Sequence, residues 1–300
     1  MKLACDPKDF RVSVSKKKSE TFHLARHPTQ IDKLYKSKKD YKKLLEGFTD
    51  ELHDLQRVLY AHSRYALLLI FQGMDTAGKD GAIRHVMSGV NPQGCQVHSF
   101  KQPSQAELDH DFLWRTTKRL PFRGHIGIFN RSYYEEVLIV KAVPAVLDAQ
   151  PLPEECTGHK HFWRDRYRDI VQFEDYLHRN GTRVLKFFLH VSKEEQRQRL
   201  LSRTKEPEKH WKISPADLKS RKQWDDFQEV YEECLQQTSH PAAPWYAVPA
   251  DDKPNARLIV SQIVVEALRS LPIAYPTPDA EQLAEVNRVR KVLSAEKKSK

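Results

Sequence analysis

From Leu67 onward an almost wholly apolar run, Leu-Leu-Leu-Ile-Phe-Gln, breaks into Gly-Met-Asp-Thr-Ala-Gly-Lys-Asp-Gly and resumes as a helix-forming segment ending near Arg84. No other stretch restricts the architecture so severely. A run of this length, closed by glycine, reads as a strand over Tyr65–Gln72 that is buried on both faces, the kind found in parallel sheets. Gly73 and Gly78 stand five positions apart with Lys79 next. In that G-x-x-x-x-G-K spacing backbone N–H groups converge on phosphate oxygens and the lysine adds a point charge. The following helix aims its N-terminal dipole at the same point. Asp80 stands where Ser or Thr usually touches magnesium, and Asp75 lies inside the loop. Carboxylates beside a polyanion are tolerable when metal ions stand between them, so the loop reads as a metal-rich phosphoryl-transfer site. A tight strand-to-helix turn with a solvated lysine is the competing structural reading.

The composition sets the class. With 300 residues, 39% of them hydrophobic, the chain can bury a sizeable core. No apolar run approaches the roughly 20 residues that span a bilayer. The start of the chain, with Lys2, Asp6, Lys8 and Arg11, is not that of a signal peptide. Cys5, Cys95, Cys156 and Cys234 are scattered without C-x-x-C spacing, which argues against a zinc site and a disulfide framework and for a reducing cytoplasm. A formal charge of +10 makes an anionic partner reasonable, though a charged face can be merely solvated. Aromatic residues are not interleaved with the basic runs as in single-strand-binding platforms, so nucleic acid is not expected.

Residues 1 to about 30, with Lys16-Lys-Lys18 and Pro28, read as an arm. Between Ile31 and His62 apolar residues recur at three- and four-residue steps, predicting amphipathic helix in two segments that meet near Gly47. Its outer face carries Lys33, Lys36, Lys38, Lys39, Lys42 and Lys43, either solvated or a groove for a long polyanion. Helix is predicted over Lys79 to about Gly89, a second strand over Cys95–Phe100, and a helix from the Ser104/Glu107 capping box to about Leu120. A third strand, His125–Phe129, ends at Asn130-Arg-Ser-Tyr-Tyr-Glu-Glu-Val137. Ligands of open α/β sheets sit outside the carboxyl ends of the strands, so this cluster and the glycine loop should share one crevice. Asn130 or Ser132 as a helix cap is the structural alternative, but Arg131 has no capping role.

A helix over His161–His178, a fourth strand over Val184–Val191 and a second Ser192/Glu195 capping box follow. The helix this box opens bears Arg197, Arg199 and Arg203. The charged segment 204–214, broken by Pro207 and expected to be anchored by Trp211 and Ile213, is a lid candidate. A lid would exclude water at closure and bring Lys205, Lys209 and Lys212 to the phosphates. One helix over Ala216–Gln237, a fifth strand over Ala243–Pro249 and a helix over Asn255–Leu271 complete the alternation. Pro272, Pro276 and Pro278 lead into a basic C-terminal extension. Strand and helix alternate five times, which predicts a single parallel-sheet α/β domain; by analogy with P-loop kinases of this plan, a three-layer α/β/α fold with the strands in the order 2-3-1-4-5 is expected. The expected organisation is a basic arm and helical extension (1–64), a P-loop kinase-like domain (65–271) with its lid, and an extension (272–300).

Four stretches, in order, resemble the second family of polyphosphate kinases: Phe71-Gln-Gly-Met-Asp-Thr-Ala-Gly-Lys-Asp-Gly81, Gly127-Ile-Phe-Asn-Arg-Ser-Tyr-Tyr-Glu-Glu-Val-Leu138, Lys186-Phe-Phe-Leu-His-Val-Ser-Lys-Glu-Glu-Gln196 and Trp211-Lys-Ile-Ser214. The resemblance covers about residues 30 to 271. It implies a P-loop kinase fold, magnesium, and reversible transfer of a phosphoryl group from inorganic polyphosphate to a purine nucleotide, AMP or ADP and by extension GMP or GDP. Many members have Asp-Arg-Ser at the third strand, where this chain has Asn130-Arg131-Ser132. Asn-Arg-Ser-x-Tyr-Glu resembles the subgroup accepting both mono- and diphosphates, in which a nearby glutamate supplies the missing charge; Glu135 is the candidate, ahead of Glu136.

Carried over by that resemblance, donor phosphates fall to Gly73, Thr76, Ala77, Gly78, Lys79 and Gly81, with Arg84, Arg203, Lys209 and Lys212 as further phosphate ligands. Metal falls to Asp75, Asn130 and Glu135. Asp75, Lys79, Asp80, Arg131 and Glu135 form the catalytic set, with Asp80 assisting or orienting the acceptor and Arg131 neutralising the charge that spreads over the transferring group. The base is expected between the helix at 104–120 and the lid, polyphosphate along the Lys33–Lys43 face or the Arg197–Arg203 helix, and the chain is expected to form a homo-oligomer. Two alternatives remain: an ATP-dependent nucleoside monophosphate kinase, against which Asp80 speaks, and a non-catalytic polyanion-binding module that has kept only the loop.

Overall fold

In the computed structural model, residues 3–13 and 21–296 are described. The strands are β1 (Ala66–Gln72), β2 (Cys95–Ser99), β3 (Ile126–Asn130), β4 (Thr182–His190) and β5 (Trp245–Pro249). They form one sheet in the order β2-β3-β1-β4-β5, parallel throughout. All seven residues of β1 are buried, as its apolar run requires. Phe71 pairs with Asn130 on one side and Phe187 on the other, so the three central strands deliver their C-terminal ends to one level.

The helices are α1 (Lys38–His62), α2 (Lys79–Val86), α3 (Gln105–Leu108), α4 (Trp114–Thr117), α5 (Ile139–Ala142), α6 (Pro144–Asp148), α7 (Glu154–Thr157), α8 (Phe162–Arg179), α9 (Lys193–Lys205), α10 (Pro215–Lys222), α11 (Trp224–Thr238), α12 (Lys253–Arg269) and α13 (Ala280–Ala295). α12 packs on α2, β5 and β4, with α1 against it; α8 packs on β4 and α11. These layers make the three-layer α/β/α fold with the expected strand order. No helix among the described residues is long and apolar enough to cross a membrane.

Several boundaries differ from the sequence expectation. α1 is one continuous helix through Gly47, opened by Ser37, whose hydroxyl accepts from Asp40 N–H, and Ile31–Tyr35 lies outside it. Burial of Phe48, Leu52 and Leu59 along one face outweighs the small intrinsic cost of a helical glycine. The Ser104/Glu107 box forms, but the helix stops at Leu108. Asp111 then bends the chain by accepting from Leu113 N–H at 2.9 Å, and α4 starts anew. The expected helix over 216–237 divides at Gln223 into α10 and α11. Trp211 and Ile213 anchor nothing: Trp211 is 79% exposed and Ile213 also faces solvent.

The described part of the arm is tied down. Val12 N–H donates to Trp245 O and Arg11 bridges antiparallel to Tyr246, which covers the open edge of β5, while Phe10 and Val12 are buried. Lys16-Lys-Lys18 lies outside the described residues. Beyond Leu271 the extension carries α13, a helix that charge counting alone gave no reason to expect.

Candidate active site

At the end of β1 the chain turns into the glycine loop under tight steric control. A Cβ on Gly73 would stand 2.9 Å from Leu189 O, so only glycine lets the loop lie this close to β4. Thr76 (φ 65°) and Arg131 (φ 64°) are two of the three non-glycine residues with positive φ among those described. Left-handed backbone at such residues costs on the order of 1–3 kcal/mol and persists where the surroundings impose it. The loop after β1 and the turn after β3 are those places.

Lys79 opens α2 and folds its ammonium over the loop, donating to Gly73 O at 2.7 Å and Met74 O at 3.4 Å. Burial pushes it down to about 8, with the Arg131 charge adding to the shift. Arg131 reaches back across the crevice. Its Nη2 lies 3.3 Å from Asp75 Oδ1 and its Nη1 donates to Glu135 Oε2 at 3.0 Å. Glu135, more than any other neighbour, holds the guanidinium above its ordinary pKa. Asn130 Nδ2 donates to Asp80 Oδ1 at 2.7 Å, and Lys212 Nζ stands 3.9 Å from Asp80 Oδ2. The two carboxylates of the loop, the third-strand cluster and one base of the 204–214 segment thus meet over the N-terminus of α2.

The other expected phosphate ligands are placed less alike. Ala77 is buried, Thr76 Oγ1 is buried without a hydrogen-bond partner, and Gly78 (φ 103°) caps α2. Gly81 lies in the first turn of α2, beside Arg257. Arg84 is exposed further along α2, and Arg203 is half-buried in the last turn of α9. Lys209 is paired with Glu206. Glu136 turns away from the crevice, accepting from Gln150 at 2.8 Å and facing Arg166 at 3.5 Å, so Glu135 is the glutamate that reaches Arg131.

Three features were missed in the sequence. Arg199 is not part of the polyphosphate track expected on its helix: it is buried, and its guanidinium donates to the carbonyls of Thr76, Ala77, Ala250 and Asp251 and to Glu195. It latches the loop to the end of β5. Its spacing of four from Glu195, just after the Ser192 cap, was the available signal. The second feature is a cation cluster beside α2. Lys253 is held below its ordinary value by burial and by the charges of Arg199, Arg257 and Lys209. The third is a buried network. Glu174 accepts from Tyr133 Oη and Tyr134 Oη at 2.8 Å each and from Lys186 Nζ at 2.6 Å, with His240 Nε2 at 3.0 Å. It pins the turn that carries Arg131.

A cavity of about 430 Å³ lies beyond the C-terminal ends of β2 and β3, between α3–α4 and the start of α8. Phe112 and Phe162 line it, with the Arg166 guanidinium 4.3 and 5.0 Å from their ring centres. Glu107, Asp111, Glu155 and Asp169 make its wall acidic, unlike the chain as a whole. Segment 204–214 takes no part in it.

Among the described residues no three His, Cys, Asp or Glu side chains are gathered to hold a metal ion by themselves. The side chains that crowd the crevice mouth, Asp75, Asp80, Asn130 and Glu135, offer oxygen donors. That set suits a hard divalent cation whose remaining ligands are phosphate oxygens and water.

Comparison with known proteins places the chain in a family. The polyphosphate kinase 2 family matches residues 35–274. An ADP-polyphosphate phosphotransferase from Rhodopseudomonas palustris is 55% identical over 286 residues, covering 95% of this chain and 98% of the relative. An AMP/ADP-polyphosphate phosphotransferase from Meiothermus ruber is 45% identical over 228 residues, 76% of this chain and 81% of the relative. The crystal structure of polyphosphate kinase 2 from Arthrobacter aurescens superposes with a TM-score of 0.85 at 37% identity, covering 97% of this chain and 99% of that one. On this family match and these relatives, the chain is a phosphotransferase and belongs to the polyphosphate kinase 2 family.

Proposed function

We propose that this enzyme moves a phosphoryl group from inorganic polyphosphate to AMP and to ADP, and by extension to GMP and GDP, by direct in-line transfer that is reversible. The observation that carries the proposal is the reach of Arg131 over the glycine loop, between Asp75 and Glu135 and beside Lys79. Loop N–H groups and Lys79 hold the transferring phosphate of the donor. Arg131 faces that phosphate from the β3 side and neutralises the charge spread over its oxygens. The attacking group is a phosphate oxygen of the acceptor, already anionic at neutral pH, so no side chain has to take a proton and none becomes phosphorylated. Lys212, carried by the 204–214 segment acting as a lid, closes over Asp80 and keeps water from competing.

Asp75, Glu135 and the amide oxygen of Asn130 would hold magnesium, which when bound screens the carboxylates from the phosphates and withdraws charge from them. The acidic cavity beside β2 and β3 receives the nucleoside of the acceptor: its volume suits one, aromatic rings line it, and its carboxylates repel polyphosphate while accepting from base N–H groups. The donor's far end follows Arg84, Arg257 and Lys253 along α2 and α12 toward the exposed lysines of α1. The four cysteines are free thiols, consistent with a cytoplasmic enzyme.

The test is incubation with AMP, long-chain polyphosphate and magnesium, without ATP, followed by chromatography of the nucleotides. ADP followed by ATP is the expected result. ADP alone removes the dual-acceptor assignment. No product from AMP or ADP, together with transfer from ATP to a monophosphate, would replace polyphosphate with ATP as donor.

A further inference from the structure

Among the described residues α13 buries none of its 16 side chains and has no extensive packing against another element. Residues 272–279, with Pro272, Pro276 and Pro278, carry it away from the domain, and prolines at this density make a stiff spacer. Yet the helix is built with care. Asp279 and Gln282 form a reciprocal capping box at its start. Leu283, Val286, Val289 and Leu293 then fall within about 120° of its circumference. Each is between 46% and 59% exposed, with Val292 beside them. Isolated helices of this length are marginal in water, and β-branched residues weaken them further. Three valines in an unpartnered helix therefore point to packing.

The structure assigns this stripe to a second copy of the same chain: we propose that α13 pairs with α13 of another subunit as a short parallel two-stranded coil. The charges decide the partner and the direction. With Val286 and Leu293 at a positions and Val289 at d, Glu285 falls at g and Arg290 at e. In a parallel pair, g of one helix faces the following e of the other, so Glu285 meets Arg290 of the second copy, twice by symmetry. In an antiparallel pair like flanks meet, and Glu285 faces Val292 instead. Among the described residues of its own chain Glu285 has an exposed contact to Arg288 at 3.7 Å, which exchanges at little cost.

Light scattering and sedimentation across a concentration series test this on the full chain. Val286→Glu with Val289→Glu should halve the mass while transfer from polyphosphate to nucleotide is kept, since α13 touches no part of the crevice. Glu285→Lys should weaken association at least tenfold, and Glu285→Lys with Arg290→Glu should restore it. Leu293→Cys in a Cys156→Ser background should give a covalent dimer on mild oxidation, which an antiparallel pair would not. A monomeric full chain at every concentration, a mass unmoved by the stripe variant, or a charge swap that fails to restore association overturns the proposal. So does a monomer that floats with phosphatidylcholine–phosphatidylglycerol vesicles, which would give the stripe to a membrane surface.

Discussion

The Nζ of Lys186 lies 2.6 Å from Oε2 of Glu174, and neither side chain has exposed surface. Lys186 also donates to Tyr134 Oη and Thr238 O, so its three protons are all used. Burial works against ionised Glu174, but Lys186 and the other donors outweigh it and hold the carboxyl below its ordinary range. Lys186→Met should cost about 3–5 kcal/mol, because it leaves a charge buried without its partner. The urea midpoint of the variant measures this. Adding Glu174→Leu should recover part of the loss, and a double variant as weak as the sum of the single ones would show that the charges are not coupled.

Lys79 makes the reaction pH-dependent in a definite direction. In the free enzyme burial and Arg131 push its ammonium down to about 8, so it loses its proton as pH rises through that value. Bound phosphate favours the protonated form, and binding at higher pH must draw in a proton. kcat/KM for polyphosphate should therefore be level below about pH 8 and fall toward tenfold per pH unit above it. Lys79→Arg should remove the inflection whatever its overall activity, since a guanidinium stays charged. Lys79→Ala should lose at least 100-fold, and a fully active Lys79→Ala would place the transferring phosphate elsewhere.

Arg199 reaches the loop only through backbone carbonyls. Five donors in a rigid fork serve four carbonyls and Glu195, a geometry that three ammonium protons cannot copy. Arg199→Lys should loosen Thr76 and Ala77, and a displacement of about 1 Å at such a site can cost on the order of 100-fold. The loss should fall on both kcat and the polyphosphate KM, while nucleotide KM changes little. Unchanged kinetics with lower thermal stability would make Arg199 a structural strut alone.

The cations beside α2 carry a separate expectation. Arg257 approaches Gly81 and donates to Tyr41 Oη at 3.2 Å, between the loop and the lysines of α1. Arg257→Gln should raise the polyphosphate KM severalfold for long chains and flatten its salt dependence by about one charge. A short donor should be less affected. Equal effects on long and short donors would confine polyphosphate to the loop itself.

What the sequence revealed and concealed follows from how local each signal is. β1, its loop and the parallel α/β class were legible because an apolar run, a glycine spacing and the alternation of elements are properties of contiguous residues, whereas the order of the strands came only from the analogy with P-loop kinases. Arg131 was legible because a strand end in such a sheet is a known ligand position. Arg199 was not, since its partners lie at residues 76–77 and 250–251, and a helix with three arginines reads as a track for polyphosphate. The pairing of Lys186 was not legible either, because its partner Glu174 lies on a different element, α8. The break at Asp111 is a side chain competing with helical hydrogen bonds, which a capping box upstream does not foretell. Trp211 was expected to anchor a lid because tryptophan is usually buried; here it stands in solvent.

The bond from Asn130 Nδ2 to Asp80 Oδ1 at 2.7 Å bears on how much metal the site demands. Asn130→Asp replaces a donor with a second carboxylate at hydrogen-bond distance, and two such groups cannot both ionise unless a cation lies between them. The variant should lose activity at low magnesium and regain it as magnesium rises, shifting the half-saturating concentration upward severalfold. Asn130→Asp with Asp80→Asn restores an amide–carboxylate bond with the roles reversed, and should return the magnesium curve toward its original position. A curve that stays shifted in the double variant would mean that Asp80 itself holds the cation, and would move it from acceptor orientation into the metal set beside Asp75.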